Sequence, residues 1–265
     1  MEPSEMESSI FKNKKAFITG SSRGIGRAIA LELARQGADI LLHFNKNAEA
    51  AKSVQNELHA LGAKSWLYQA NFCETDQTEA LLAQLTKEHN HLDIFMANAA
   101  STAFKPITDL NVANITKTMN LVISSFVLCV QKLKPLMAGR DAQILTISGI
   151  DTTNFCPGHG LLAAAKSALE TLTKYLAVEL SPDKIHAKCL NPGLVASDST
   201  KFYLGDAFQE ICDSANQVAP QKGFATPDEV AKLASILLRP EMNWTATQTV
   251  YANGGLNFML PGFSK

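Results

Sequence analysis

The stretch TGSSRGIG, residues 19–26, constrains the fold of this chain more than any other. It follows KKAFIT (14–19), an apolar run that reads as a buried strand. It opens GRAIALELARQG (26–37), whose apolar spacing is helical and which stops at Gly37. Three glycines in a strand-to-helix turn have three separate uses. Gly20 permits the tight turn, Gly24 lets the backbone approach a pyrophosphate, and Gly26 lets helix and sheet close up. Ser22, Arg23 and Ile25 complete the same phosphate turn, and the helix N-terminus faces the anion. A glycine triplet alone is a weak signal; its place between a strand and a helix is the confirming context.

The rest of the chain repeats the alternation. ADILLHF (38–44), KSWLYQA (64–70), HLDIFMANA (91–99), AQILTIS (142–148), KIHAKCLN (184–191) and TQTVYA (247–252) read as strands. Helical patterns fall at 48–62, 75–89, 111–138 and 160–180. TPDEVAKLASILL begins with a capping box, Thr226 as N-cap, Pro227 at N1 and Glu229 at N3. Alternating strands and helices specify an α/β fold, a parallel sheet with helices on both faces. No repeat or linker divides it, so residues 1–265 read as one domain. Residues 194–220 are polar and less periodic, and read as a mobile lobe over a site.

Composition excludes several classes of function. The 24 basic and 25 acidic residues leave a net charge of −1 with no basic patch, so nucleic acid is not an expected partner. Five scattered cysteines without a CxxC pair argue against a disulfide frame or a metal site and for a reducing compartment. The acidic, polar N-terminus is unlike a signal peptide. The longest apolar stretch, LVISSFVLCV (121–130), is about half of what a membrane span needs. The expectation is a cytoplasmic protein with no membrane partner.

The TGxxxGxG spacing resembles the short-chain dehydrogenase/reductase family, and further motifs match in order along nearly the whole chain. ANAA (97–100) resembles that family's NNAG motif, with Asn98 kept. NPGLVAS (191–197) resembles the PG motif that contacts the nicotinamide, which implicates Pro192, Gly193, Val195 and Ser197. NGG (253–255) resembles the glycine pair near the C-terminus. The resemblance implies a single-domain Rossmann fold with a seven-stranded parallel sheet in the order 3-2-1-4-5-6-7, and a homo-oligomer, tetramer or dimer. An NAD site usually carries an acid after the second strand; here Phe44 is followed by Asn45 and Lys46. With no acid to repel a 2′-phosphate, and with Arg23 and Lys46 able to bind one, the expected cofactor is NADP(H). The same two cations are also ordinary solvated surface charges. Asn71 and Phe72, in QANF, stand where the family meets adenine.

The family's active site is Asn, Ser, Tyr and Lys. Asn120 matches the asparagine and Lys166 the lysine, which also holds the nicotinamide ribose. The serine position is Gly149, with Ser148 expected to point to the other side of the strand end, and the tyrosine position is Leu162. Enoyl-acyl carrier protein reductases place the tyrosine seven residues before the lysine rather than four, and here His159 stands there. NAAS (98–101), QAN (69–71) and ALETLTKYLAVELSP (168–182) resemble the same branch. His159 in the turn-rich CPGHG is also an ordinary loop histidine, and Asn120 an ordinary mid-helix amide. Asp151 either orients His159 or is a loop acid. Tyr203 is a substitute acid or packs the lobe.

Conjugate reduction tolerates these losses better than carbonyl reduction does. It leaves an enolate oxygen that a hydrogen-bond donor stabilises, and histidine is a competent donor. The expectation is therefore an NADPH-dependent reductase of an activated C=C bond, with a small-molecule or acyl-thioester substrate of fatty-acid or specialised metabolism. Carbonyl (3-oxoacyl) reduction with a substitute acid, a non-redox enzyme and a redox-silent binding partner are the alternatives. Phe202, Tyr203, Leu204, Phe208 and Ile211 in the lobe suit an apolar acyl chain or simply pack the lobe.

Overall fold

A computed structural model describes residues 10–221 and 223–256. Seven strands run in chain order: β1 Lys15–Ile18, β2 Asp39–Phe44, β3 Ser65–Gln69, β4 Ile94–Ala97, β5 Ala142–Ile147, β6 Ile185–Asn191 and β7 Thr249–Tyr251. They form one sheet in the order β3-β2-β1-β4-β5-β6-β7, with every pairing parallel. Phe17 in β1 registers with Leu41 on one side and Phe95 on the other. Strands β2, β4 and β5 are buried on both faces, which explains their near-continuous apolar runs.

The helices are α1 Gly24–Arg35, α2 Ala48–Ala60, α3 Thr75–Glu88, α4 Val112–Met119, α5 Ser125–Met137, α6 Gly160–Glu179, α7 Asp198–Leu204, α8 Phe208–Val218 and α9 Pro227–Leu237. The two-residue period of each strand sorts its side chains into two core layers. Ile18, Ile40, Leu42 and Met96 face α1 and α9, meeting Ile29, Leu33, Val230 and Leu237. Phe17, Leu41, Phe95 and Ile144 face the opposite layer, meeting Phe126, Cys129, Leu133 and Leu169 of α5 and α6. The capping box of α9 forms as its sequence predicts, with Glu229 N–H donating to Thr226 Oγ1 at 3.2 Å.

Two stretches differ from their sequence reading. Residues 194–220, read as irregular, carry α7, a short 3₁₀ turn (Gly205–Ala207) and α8. The polar residues that hide a period in the sequence occupy the outer face of these helices. The pattern at 111–138 is not a plain α-helix: a π turn, Asn120–Ser124, separates α4 from α5. The continuous helical span Val112–Met137, 26 residues, is long and apolar enough by length and composition to cross a membrane, which the shorter apolar run at 121–130 concealed. In this fold Phe126, Cys129, Leu133 and Met137 turn one side of it into the core.

Candidate active site and dinucleotide cradle

The glycine turn leaves β1 with Gly20 at φ +66. Its N–H donates to His43 Nδ1 at 3.0 Å. Ser21 Oγ donates to the Ile18 carbonyl at 2.9 Å, and its N–H donates to the His43 carbonyl at 3.0 Å. The opposite edge of the His43 ring donates through Nε2 to the Ala70 carbonyl at 3.1 Å, and its face stacks on Phe72, centroids 3.9 Å apart. One ring nitrogen accepts and the other donates, so this buried imidazole is neutral. Burial pulls its pKa from the ordinary 6.5 down to about 4, opposed only by the Ala70 hydrogen bond. The unfolded chain therefore binds a proton between pH 6.5 and 4 that the native chain refuses. The stability carried by His43 is complete above pH 6.5 and falls by about 3 kcal/mol as pH drops through 4. Urea unfolding across that window is expected to show this loss, and His43→Phe to flatten the slope.

The turn fits a pyrophosphate. A Cβ built on Gly24 meets nothing within 4 Å, so the backbone there opens onto free space. A Cβ on Gly26 would lie 2.4 Å from the Gly20 carbonyl oxygen and 2.6 Å from Asn98 Nδ2, so this glycine closes the helix onto the loop. The first turn of α1 has no side-chain cap and no acid, which leaves its N–H groups to an anion. Ile25 packs beside the core, while the Ser22 and Arg23 side chains hold no hydrogen bond among the described residues. Asn98 is turned inward: Nδ2 donates to the carbonyls of Thr19 (2.9 Å) and Gly20 (3.2 Å), so the amide braces the turn.

At the end of β2, Asn45 and Lys46 are exposed. Asn45 Nδ2 donates to Asn71 Oδ1 at 3.5 Å, joining the ends of β2 and β3. Asn71 Oδ1 also accepts from Cys73 N–H at 3.1 Å, while the Phe72 ring is buried on His43. Neither Arg23 nor Lys46 forms an ion pair among the described residues. Past β6, Pro192, Gly193 and Val195 are buried. Gly193 has φ +69 and packs so closely that a Cβ would stand 2.5 Å from Asn253 Cβ, which joins the PG and NGG stretches. Ser197 caps α7, accepting from Thr200 N–H at 3.3 Å.

The third part lies beyond β5. Lys166 is buried, and its Nζ donates to the Ile147 carbonyl at 2.5 Å. Burial lowers its pKa, opposed by Asp151, Cys189 and Glu170. The Ser148 hydroxyl donates to Glu170, one helical turn beyond Lys166 on α6, beside Thr152 Oγ1, which donates to the same carboxylate oxygen at 3.1 Å. Leu162 packs against the α5–α6 core layer. Asn120 begins the π turn and donates through Nδ2 to the Cys73 carbonyl at 3.1 Å.

His159 stands at the entry of α6. Its Nδ1 lies 3.2 Å from Asp151 Oδ2, and its ring sits between Phe104 (centroids 5.0 Å) and Tyr203 (4.1 Å). Its other nitrogen, Nε2, is buried and has no hydrogen-bond partner. The Tyr203 hydroxyl donates to the Pro157 carbonyl. His159 and Asp151 line a cleft of about 450 Å³ walled by Pro106, Ile107, Phe155 and Ala163, with Lys105 at its edge. No group of three or more metal-ligating side chains gathers among the described residues.

The family model described as Enoyl-(Acyl carrier protein) reductase matches residues 20–257. The chain is a short-chain dehydrogenase/reductase. It is 31% identical over 252 residues to 1-cyclohexenylcarbonyl-CoA reductase of Streptomyces collinus, covering 95% of this chain and 90% of that protein. It is 27% identical to the 3-oxoacyl-(acyl-carrier-protein) reductase FabG of Staphylococcus epidermidis, over 92% of this chain and 99% of the relative. A short chain dehydrogenase from Burkholderia cenocepacia, solved in complex with NADP, superposes with a TM-score of 0.86 at 27% identity, covering 94% of this chain and all of that one (100%).

Sequence reasoning missed two parts of this short-chain dehydrogenase/reductase. His43 supports the glycine turn from the neighbouring strand, and only its place one residue before Phe44 hinted at it. Asn191 links the strand ends: Nδ2 donates to the Gly149 carbonyl at 2.8 Å, and Oδ1 accepts from Gly193 N–H at 3.2 Å. Asn191 opens the NPG stretch, so its presence was visible and its partner was not.

Proposed function

We propose that this chain is an NADP(H)-dependent reductase of an activated C=C bond, acting on an enoyl-thioester-like substrate. The observation that carries the reading is His159, a residue lining a largely apolar cleft, whose Nε2 is buried and has no hydrogen-bond partner. A buried nitrogen without a partner is costly unless a ligand completes it. Support also comes from the relative named for a cyclohexenylcarbonyl thioester, and from the family description itself.

The turn at Gly20, Gly24 and Gly26 would hold the pyrophosphate of NADP(H), Lys166 would hold the nicotinamide ribose, and Pro192, Gly193, Val195 and Ser197 would contact the nicotinamide. When bound, that cofactor supplies the two reducing electrons as hydride. Reduction at the β-carbon leaves negative charge on the thioester oxygen. His159 Nε2–H, in the imidazolium form, donates to that oxygen, and Asp151 Oδ2 accepts from Nδ1–H to hold the ring in line. The α-carbon is then protonated by water. Apolar cleft walls exclude bulk solvent and strengthen the donor. Gly149 and Leu162, with no donor of their own, leave His159 as the group that meets the oxygen.

Purified protein is expected to oxidise NADPH with 2-enoyl thioesters, giving a product two hydrogens heavier. Reduction of 3-oxoacyl thioesters alone would favour the second reading, a carbonyl reductase, which the FabG relative supports. No oxidation with either class would overturn reduction altogether and favour a non-redox enzyme or a binding partner.

For the cofactor, Arg23 and Lys46, exposed and without an ion pair among the described residues, would hold the 2′-phosphate. Arg23→Ala and Lys46→Ala are each expected to weaken NADPH binding about tenfold and leave NADH binding unchanged, read by calorimetry. The protein acts in the cytoplasm, in keeping with its five free thiols. It is a homo-oligomer, dimer or tetramer: Val112 and Ile115 on α4 and Tyr175 and Val178 on α6 leave apolar surface exposed.

A further inference from the structure

We infer that Gly149, Asp151 and His159 form one unit, in which the side chain absent at Gly149 makes the room that Asp151 needs to hold His159. Gly149 has φ −157 and ψ 162, extended backbone that any residue adopts. Conformation therefore does not require glycine here. Space does: a Cβ on Gly149 would stand 2.6 Å from Asp151 Oδ1. The 3₁₀ turn Ile150–Thr152 carries Asp151 back over Gly149. The Gly149 carbonyl is fixed by Thr152 Oγ1 (3.0 Å) and Asn191 Nδ2 (2.8 Å), so the backbone has little freedom to retreat.

Asp151 has a side chain only 6% exposed, and His159 is its one hydrogen-bond partner among the described residues. A carboxylate at Nδ1 selects the neutral tautomer that carries its proton there, whereas free imidazole favours the other. Nε2 is then a lone pair in the neutral ring and a donor only in the imidazolium. Asp151 is thus a positioning residue: it sets which nitrogen of His159 carries the ring's proton. The other titratable and charged groups facing the pair are Lys166 from α6, Cys156 from the preceding loop, Tyr203 from α7 and Lys105 from the cleft edge.

This inference rests on the reading of His159 as the donor, yet its test needs no substrate. Nitrogen NMR of histidine-labelled protein reports the tautomer of His159 directly. The wild type is expected to show the Nδ1–H form. Asp151→Asn, nearly isosteric, is expected to shift the ring to Nε2–H, because the amide can donate to Nδ1. Gly149→Ser should produce the same shift by displacing the carboxylate, and should add nothing in the Asp151→Asn background. An unchanged tautomer in Asp151→Asn overturns the inference, and so does a Gly149→Ser effect that is independent of Asp151. Should Gly149→Ser not fold, Asp151→Asn decides alone. The NMR result with no thioester turnover would uphold the unit and overturn the reductase reading; turnover without the tautomer shift would do the reverse.

Discussion

Replacing His159 with alanine is expected to lower enoyl-thioester reduction by about 10²- to 10⁴-fold while NADPH still binds. The size of the effect follows from what the neighbouring donors already do. The Tyr203 hydroxyl donates to the Pro157 carbonyl and the Ser148 hydroxyl to Glu170, while Lys166 is tied by one N–H to the Ile147 carbonyl. Neither hydroxyl is free to replace the imidazole without breaking a bond of its own. Single-turnover rates with calorimetric NADPH titration separate lost chemistry from lost cofactor. A fall of less than about threefold would move the donor elsewhere, and Tyr203→Phe would then be the deciding variant, since its ring already lies against His159.

Gly26→Ala is expected to have the second large effect, on cofactor and fold together. The new methyl would meet the Gly20 carbonyl at 2.4 Å and Asn98 Nδ2 at 2.6 Å. The first of these is backbone, held by the same short turn, so relief requires α1 to move away from the strand end. Overpacking of this kind costs about 1–3 kcal/mol. Gly24→Ala makes a contrasting case. Its methyl enters open space, but the residue sits at φ +55, which costs an L-residue about 1–2 kcal/mol. Thermal unfolding without cofactor should show the larger loss in Gly26→Ala, and calorimetry should show weak NADPH binding in both. Retention of full affinity in Gly26→Ala would mean the pyrophosphate does not rest on this turn.

The sheet was legible because each strand is locally explicit: a short apolar run bounded by a polar turn or a helix. The glycine turn was legible for the same reason, since Gly20, Gly24 and Gly26 answer to neighbours within the same stretch. His43 was not, because its partners Gly20 and Ala70 lie on other segments and a histidine inside a strand reads as one more core residue. The relation of Gly149 to Asp151 was half legible. The two stand two residues apart in sequence, but only the 3₁₀ turn Ile150–Thr152 shows that the carboxylate folds back over the glycine. The helices at 198–218 escaped because their polar positions outnumber the apolar ones that mark a period.

The π turn at Asn120–Ser124 acts as an inserted residue that a helix has absorbed instead of expelling into a loop. One residue of an α-helix is about 100° of rotation. Excising a single residue from this turn would restore uninterrupted α geometry and swing α4 around relative to α5. Val112 and Ile115 would leave their present outward bearing while Phe126 and Leu133 stayed in the core. The phase between these two faces is thus stored in one extra peptide unit, and a change in chain length at this point reorients a surface without altering any residue on it.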